Sequence, residues 1–189
     1  MPLTTYTPGE VLTAASLNDN FTFAASNPPG GLELISTTAI GTTVSSVTVS
    51  GAFSATYDNY FVTIDGTVGS TAAYTGLALG ATTTGYYNSS VYAAYNTGTV
   101  LSQNSSNGAK FVNIGRTSTS GSNFKFYFTS PFLTVRTGFL NQTSAYETTG
   151  APFAGGGFLD DATSYTAFTF SPNSGTITGG TIRVYGYKN

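Results

Sequence analysis

Histidine and cysteine are both absent from this chain. They are the side chains that most often carry nucleophilic and metal chemistry near neutral pH. Their absence excludes Ser-His and Cys-His nucleophile systems and the ordinary zinc and haem sites. Serines are numerous, but none has a visible activating base. Eight carboxylates remain, and Asp160-Asp161 is their one adjacent pair. On a strand the two would face opposite ways, so a shared acid–base site requires a loop. The plainer expectation is a solvated turn before a strand at Tyr165. Asp160 or Asp161 with loop carbonyls is the alternative, as a weak calcium site, although no EF-hand pattern supports it. Gly155-Gly156-Gly157 lacks the Lys-Ser/Thr of a phosphate loop. The expectation is therefore no catalytic residue, no cofactor and no metal.

Tyrosine is the other residue type placed to do chemistry. Tyr86, Tyr87, Tyr92 and Tyr95 fall within ten positions. A phenol offers a flat apolar face and a hydroxyl, which suits stacking on sugar rings or docking in a protein groove. These four are the candidate receptor or interface surface. Against that stands the plainer expectation that half of them are core and the rest line a subunit interface. Lys125, Arg136 and Arg183 are expected as outward strand residues or interface pairs rather than ligand contacts.

What must position these residues is a β-rich chain. Charged residues are 7% of the 189 positions, and Tyr and Phe are abundant without Trp. With β-branched residues plentiful, this composition predicts an ordered all-β domain with polar Thr/Ser outer faces. The net charge is −2 and the six Lys and Arg are scattered singly, which leaves no electrostatic footprint for nucleic acid. No apolar run approaches the roughly 20 residues needed to span a bilayer, and Met1–Tyr6 has no secretory pattern. Without cysteine there is no disulfide framework.

The stretch from Tyr57 to Gly66 reads as the central core strand. Tyr60, Val62 and Ile64 point to one side, and Phe61, Thr63 and Asp65 to the other. Phe124, Phe126 and Phe128 alternate with Lys125, Tyr127 and Thr129, which predicts a core face of phenylalanines. Lys110–Gly115 and Asn123–Thr129 are expected to pair as strands. Asn107-Gly108 is a hairpin-turn dipeptide, Ala145–Gly157 reads as a long loop, and Tyr165–Phe170 as a strand with Phe168 and Phe170 inward. On the closing strand Ile182, Val184 and Gly186 share one face, and Arg183, Tyr185 and Tyr187 the other. About nine or ten short strands predict an antiparallel β-sandwich, with jelly-roll connectivity preferred.

Residues 1–31 differ. Thr13 can cap a helix from Ala14 to about Ala25, with Leu12 and Leu17 placed as a hydrophobic staple and Phe21 above Leu17. Asn27-Pro28-Pro29-Gly30-Gly31 ends the helix and marks a boundary, giving a segment 1–31 and a head domain 32–189.

The run from Pro8 to Phe21 resembles the opening segment of bacteriophage tail-fibre and other virion appendage proteins, whose pattern is G-x-x-L-T-A-x-x-L-N-x-N-F. Gly9, Leu12, Thr13, Ala14, Leu17, Asn18, Asn20 and Phe21 match, while Ser16 stands where an acidic residue is frequent. The closing G-G-T-I-R-V-Y-G-Y-K and the Y-D-N-Y-x-V-x-I-D-G of residues 57–66 resemble a jelly-roll-like domain of phage fibre and virion structural proteins. The resemblance implies a virion location, with Leu12, Leu17 and Phe21 in attachment and tail, baseplate or capsid proteins as partners. It also implies a homotrimer. A marginal helix and exposed sheet edges both benefit from neighbours.

The expected function is thus non-enzymatic: a short tail fibre whose β-sandwich head contacts host surface glycans. The alternative is a capsid or baseplate fibre or cement (decoration) protein that binds only other virion proteins. No membrane or nucleic-acid partner is expected. Arg183, Tyr185 and Tyr187 are the candidate subunit interface, because the closing strand shows tyrosines where a polar monomer would show Lys or Glu.

Overall fold

The computed structural model describes residues 5–11, 13–26, 31–146 and 151–188. The chain divides into two compact units, 1–31 and 32–189. The first carries helix α1 (Ala14–Ser26). Thr13 is its N-cap: the Thr13 hydroxyl accepts the Ser16 N–H at 3.2 Å, and the Thr13 carbonyl accepts the Leu17 N–H at 3.0 Å. Ser16 replaces an acid at this third position but still bonds back, donating its hydroxyl to the Thr13 carbonyl at 3.0 Å. A turn precedes it, in which the Glu10 carboxylate accepts the Thr7 N–H at 3.0 Å. Leu17 and Phe21 are both solvent-exposed, Phe21 at 65%. The staple partner Leu12 lies outside the described residues. Among the described residues no helix is long and apolar enough to cross a membrane.

The second unit is an all-β sandwich of thirteen strands among the described residues: β1 (Leu32–Ala39), β2 (Val47–Val49), β3 (Asn59–Gly69), β4 (Tyr74–Leu79), β5 (Tyr86–Ala93), β6 (Val100–Gly108), β7 (Phe111–Arg116), β8 (Ser122–Thr129), β9 (Thr137–Ala145), β10 (Phe153–Leu159), β11 (Phe168–Pro172), β12 (Ile177–Thr178) and β13 (Thr181–Tyr187). The large sheet runs β1-β13-β3-β8-β9-β10-β5-β6, with β12 on the far end of β3, and the small sheet runs β2-β11-β4-β7. All these pairs are antiparallel. From β2 to β5 successive strands alternate between the sheets. β6 then pairs with β5, β7 returns to the small sheet, β8 to the large and β11 to the small. This is a jelly-roll-like course, with the β9–β10 hairpin inserted between β8 and β5.

The core lies between the sheets, and the alternation of residue types decides which side chains enter it. Tyr60, Val62 and Ile64 of β3, the three phenylalanines of β8, and Ile182 and Val184 of β13 are all buried against Leu77, Leu79, Phe111, Phe168 and Phe170 of the small sheet. Rings meet across the gap: Phe124 and Phe170 at 5.0 Å, and Phe111 stacked on Phe139 at 4.4 Å. Gly186 is glycine because the Tyr57 ring occupies the space a β-carbon would need.

Polar groups also tie the sheets together. The Asn88 amide of β5 donates to the Val112 carbonyl at 2.8 Å and accepts the Val112 N–H at 3.1 Å. The Asn141 amide of β9 donates to the Ile114 carbonyl at 2.8 Å. Both asparagines are buried, so strand β7 is pinned to the large sheet by side chains as well as by packing.

Three expectations are corrected. Lys110–Gly115 and Asn123–Thr129 do not pair: β7 and β8 belong to different sheets, because the Thr117–Gly121 segment between them crosses the sandwich instead of closing a hairpin. Asn107-Gly108 makes no hairpin turn: both residues end β6, and β7, next in the chain, belongs to the other sheet. The Gly155–Gly157 run is strand as well, in the middle of β10. Those glycines lie between β9 and β5, and a β-carbon on Gly157 would overlap the Tyr87 carbonyl oxygen.

Candidate functional site

The large sheet turns one face to the core and the other to solvent. Along β3 the outward residues are Phe61, Thr63 and Asp65. Strand register carries that face sideways: Leu34, Tyr185, Phe61, Tyr127 and Leu140 stand directly opposite one another across β1, β13, β3, β8 and β9. They form one apolar and aromatic row on five adjacent strands. Phe61 stacks on Tyr127 at 4.8 Å and lies 6.1 Å from Tyr185 at the same 29° tilt. The rings are half-buried by each other, while Leu34 and Leu140 at the ends are 53% and 59% exposed. The next row is polar: Thr37, Arg183, Thr63, Lys125 and Gln142. Arg183 there pairs with Asp65 at 3.3 Å, both partly exposed, so the pair adds little to stability.

On the other side of the aromatic row the register places Asn59, Thr129 and Gly138 in line with Phe158 and Tyr87, while Tyr187 of β13 is opposite Leu32 of β1. Here the sheet surface opens into a groove of ≈ 440 Å³, lined by Asn59, Tyr127, Thr129, Tyr187 and Lys188 and by β3 and β8 at Tyr60 and Phe128. Burial of the Tyr187 hydroxyl, with Tyr127 beside it, pushes its pKa above the ordinary tyrosine value.

The sequence-derived candidates are thereby sorted. Arg183, Tyr185 and Tyr187 do share one outward face, but β13 is an inner strand between β1 and β3. The edge argument for a subunit interface does not hold for it; the large-sheet edges are β1 and β6. Tyr86 is corrected: it is fully buried, its hydroxyl accepting the Leu79 N–H at 2.8 Å, and burial pushes its pKa to about 12. It belongs to the core and no receptor can touch it. Tyr92 turns to the opposite face from Tyr87, stacking on Phe153 at 4.5 Å and meeting the Tyr74 hydroxyl at 3.0 Å. Tyr87 stacks outward on Phe158 at 5.2 Å, and Tyr95 is exposed in the turn after β5. The four tyrosines therefore form no single surface. Phe61 and Tyr127 were missed as surface candidates, although the alternation around them already put them on the face away from the core.

Asp160 and Asp161 are separated in role. Asp160 accepts from Arg136 at 2.7 Å in an exposed pair. Asp161 accepts the Tyr165 hydroxyl at 2.7 Å, the Thr163 hydroxyl at 2.7 Å and the Thr163 N–H at 2.9 Å. The Thr163 and Tyr165 bonds hold its carboxyl below the ordinary value. Among the described residues no three His, Cys, Asp or Glu side chains gather as a metal site. A folded-state pKa below the unfolded one gives stability present above the unfolded value and lost as pH falls through the folded one. The melting temperature should therefore fall on acidification below about pH 4, and Asp161→Asn should flatten that fall. Equal slopes for the two proteins would refute the assignment.

Comparison with known proteins returns no matching family model and no matching curated sequence.

Proposed function

We propose that this chain is a non-enzymatic bacteriophage virion component, a short tail fibre whose β-sandwich head contacts host surface glycans and whose first unit attaches it to the particle. The observation that carries the reading is the solvent-facing aromatic row Leu34–Tyr185–Phe61–Tyr127–Leu140. A sheet face with only a hydrophobic structural role would be covered, whereas this one offers flat rings beside a polar row. That combination suits sugar rings, whose C–H faces stack on aromatics while their hydroxyls need polar partners. Leu17 and Phe21, exposed on α1, are the attachment residues. The chain is a homotrimer in this reading, with neighbours meeting at sheet edges and the aromatic face left free.

A second reading, a capsid or baseplate fibre or cement protein that binds only virion proteins, draws on the two exposed leucines that end the row. Leu17→Asp tests the attachment role common to both: it should abolish incorporation into particles while leaving the melting temperature of the head nearly unchanged. Normal incorporation would remove the helix from attachment. Saccharide binding by the chain then separates the two readings, and light scattering at micromolar concentration should give three times the chain mass. A monomer throughout that range would remove the trimer.

A further inference from the structure

We infer that the groove between Tyr127 and Tyr187 is a saccharide subsite that takes one face of a pyranose ring. The inference rests on the glycan-binding reading above and gives it a place. Five polar groups border the groove: the Asn59 amide, the Thr129 hydroxyl, the Lys188 ammonium and the phenols of Tyr127 and Tyr187. None of the five makes a hydrogen bond or ion pair among the described residues. Elsewhere on this face Arg183 pairs with Asp65, and Arg136 with Asp160. Donors and acceptors grouped with two tyrosines around one groove are what sugar recognition requires, since each ring hydroxyl needs a partner once it leaves water.

The fold explains why the groove is there. Asn59 opens β3 and pairs with Thr129 of β8. Gly138, paired with Thr129, adds no side chain on the far side. Tyr127 of β8 and Tyr187 of β13 line the same groove. At ≈ 440 Å³ the space falls within the roughly 300–1,000 Å³ typical of small-molecule sites. Its open form suits a sugar unit within a longer chain that continues along the sheet.

The test uses the full chain against an array of immobilised mono- to tetrasaccharides of gluco, galacto and manno configuration, with affinities for the best-bound sugar followed by calorimetry. Tyr127→Ala and Tyr187→Ala should each weaken binding about tenfold or more, as expected for a lost ring stack plus a hydroxyl bond. Asn59→Ala should weaken it several-fold. Tyr187→Phe removes only the hydroxyl, leaves the ring packing in place, and should also lower affinity with an unchanged melt. Tyr87→Ala, on the same sheet face but outside the groove, should bind as wild type. Binding that survives all the groove substitutions overturns the groove while leaving a glycan-binding head intact. A wild-type chain that binds no sugar on the array overturns the glycan reading and the groove with it.

Discussion

Phe126→Ala should destabilise the sandwich by about 3–5 kcal/mol, the usual cost of removing a buried aromatic ring from a close-packed core. Phe126 is fully buried in the middle of β8, with the Phe139 ring 5.6 Å away on the neighbouring strand and Phe170 6.2 Å away on the facing sheet. Truncation leaves a cavity bordered by both sheets, which neither can collapse to fill without moving the other. Lys125, the next residue, points out from the same strand and is exposed. Lys125→Ala should therefore change stability by no more than about 0.5 kcal/mol. Denaturant unfolding of the pair gives both numbers, and equal losses would mean that the two faces of β8 are misassigned.

Gly157→Ala should be as severe, on the order of 4 kcal/mol or more, for a different reason. A β-carbon on Gly157 would overlap the Tyr87 carbonyl oxygen and sit 2.7 Å from the Asn88 α-carbon. Both neighbours are backbone on the adjacent strand and neither can swing aside. Relief requires parting β10 from β5 at the Gly157–Asn88 pair. That movement also pulls the Asn88 amide from the two Val112 bonds that hold β7, leaving buried polar groups unsatisfied. Gly138→Ala is the control, because its β-carbon meets only the Thr129 side chain at 3.3 Å, and it should cost less than about 1 kcal/mol. Comparable small losses for both would show that the close strand approach at Gly157 is not required.

Much of the core was legible in the sequence because strand periodicity is a local signal. Tyr60/Val62/Ile64, Phe124/Phe126/Phe128 and Ile182/Val184 each repeat with period two, and all are buried between the sheets. Pairing was less legible, since register and neighbours are set by tertiary packing. The β7–β8 pairing was expected from proximity in the chain, but a jelly-roll-like course sends consecutive strands to opposite sheets. The glycine run read as loop because composition cannot distinguish glycine that bends a chain from glycine that lets strands approach. Asn88 carries no such signal either: its reason for burial is the backbone of β7, 24 positions away in the chain.

The candidate site was legible only in part. Alternation put Tyr185 and Tyr187 on the right face, but clustering in the chain proved a poor guide to clustering in space. Tyr86 and Tyr87 are neighbours that point to opposite sides of the same strand, so a group of tyrosines chosen by sequence proximity divides between core and surface. The aromatic row draws one residue from each of five strands. Its members are distant in sequence and meet only through register.

The most direct test of the proposed virion role is cryo-electron microscopy of phage particles assembled where this chain is produced, at a resolution that distinguishes the two units. Expected is the first unit seated in the particle through α1, with the sandwich projecting and the Phe61–Tyr127–Tyr185 face open to solvent. A map in which the head is embedded with that face covered by other virion proteins would contradict glycan contact, and particles without the chain would contradict a virion role altogether.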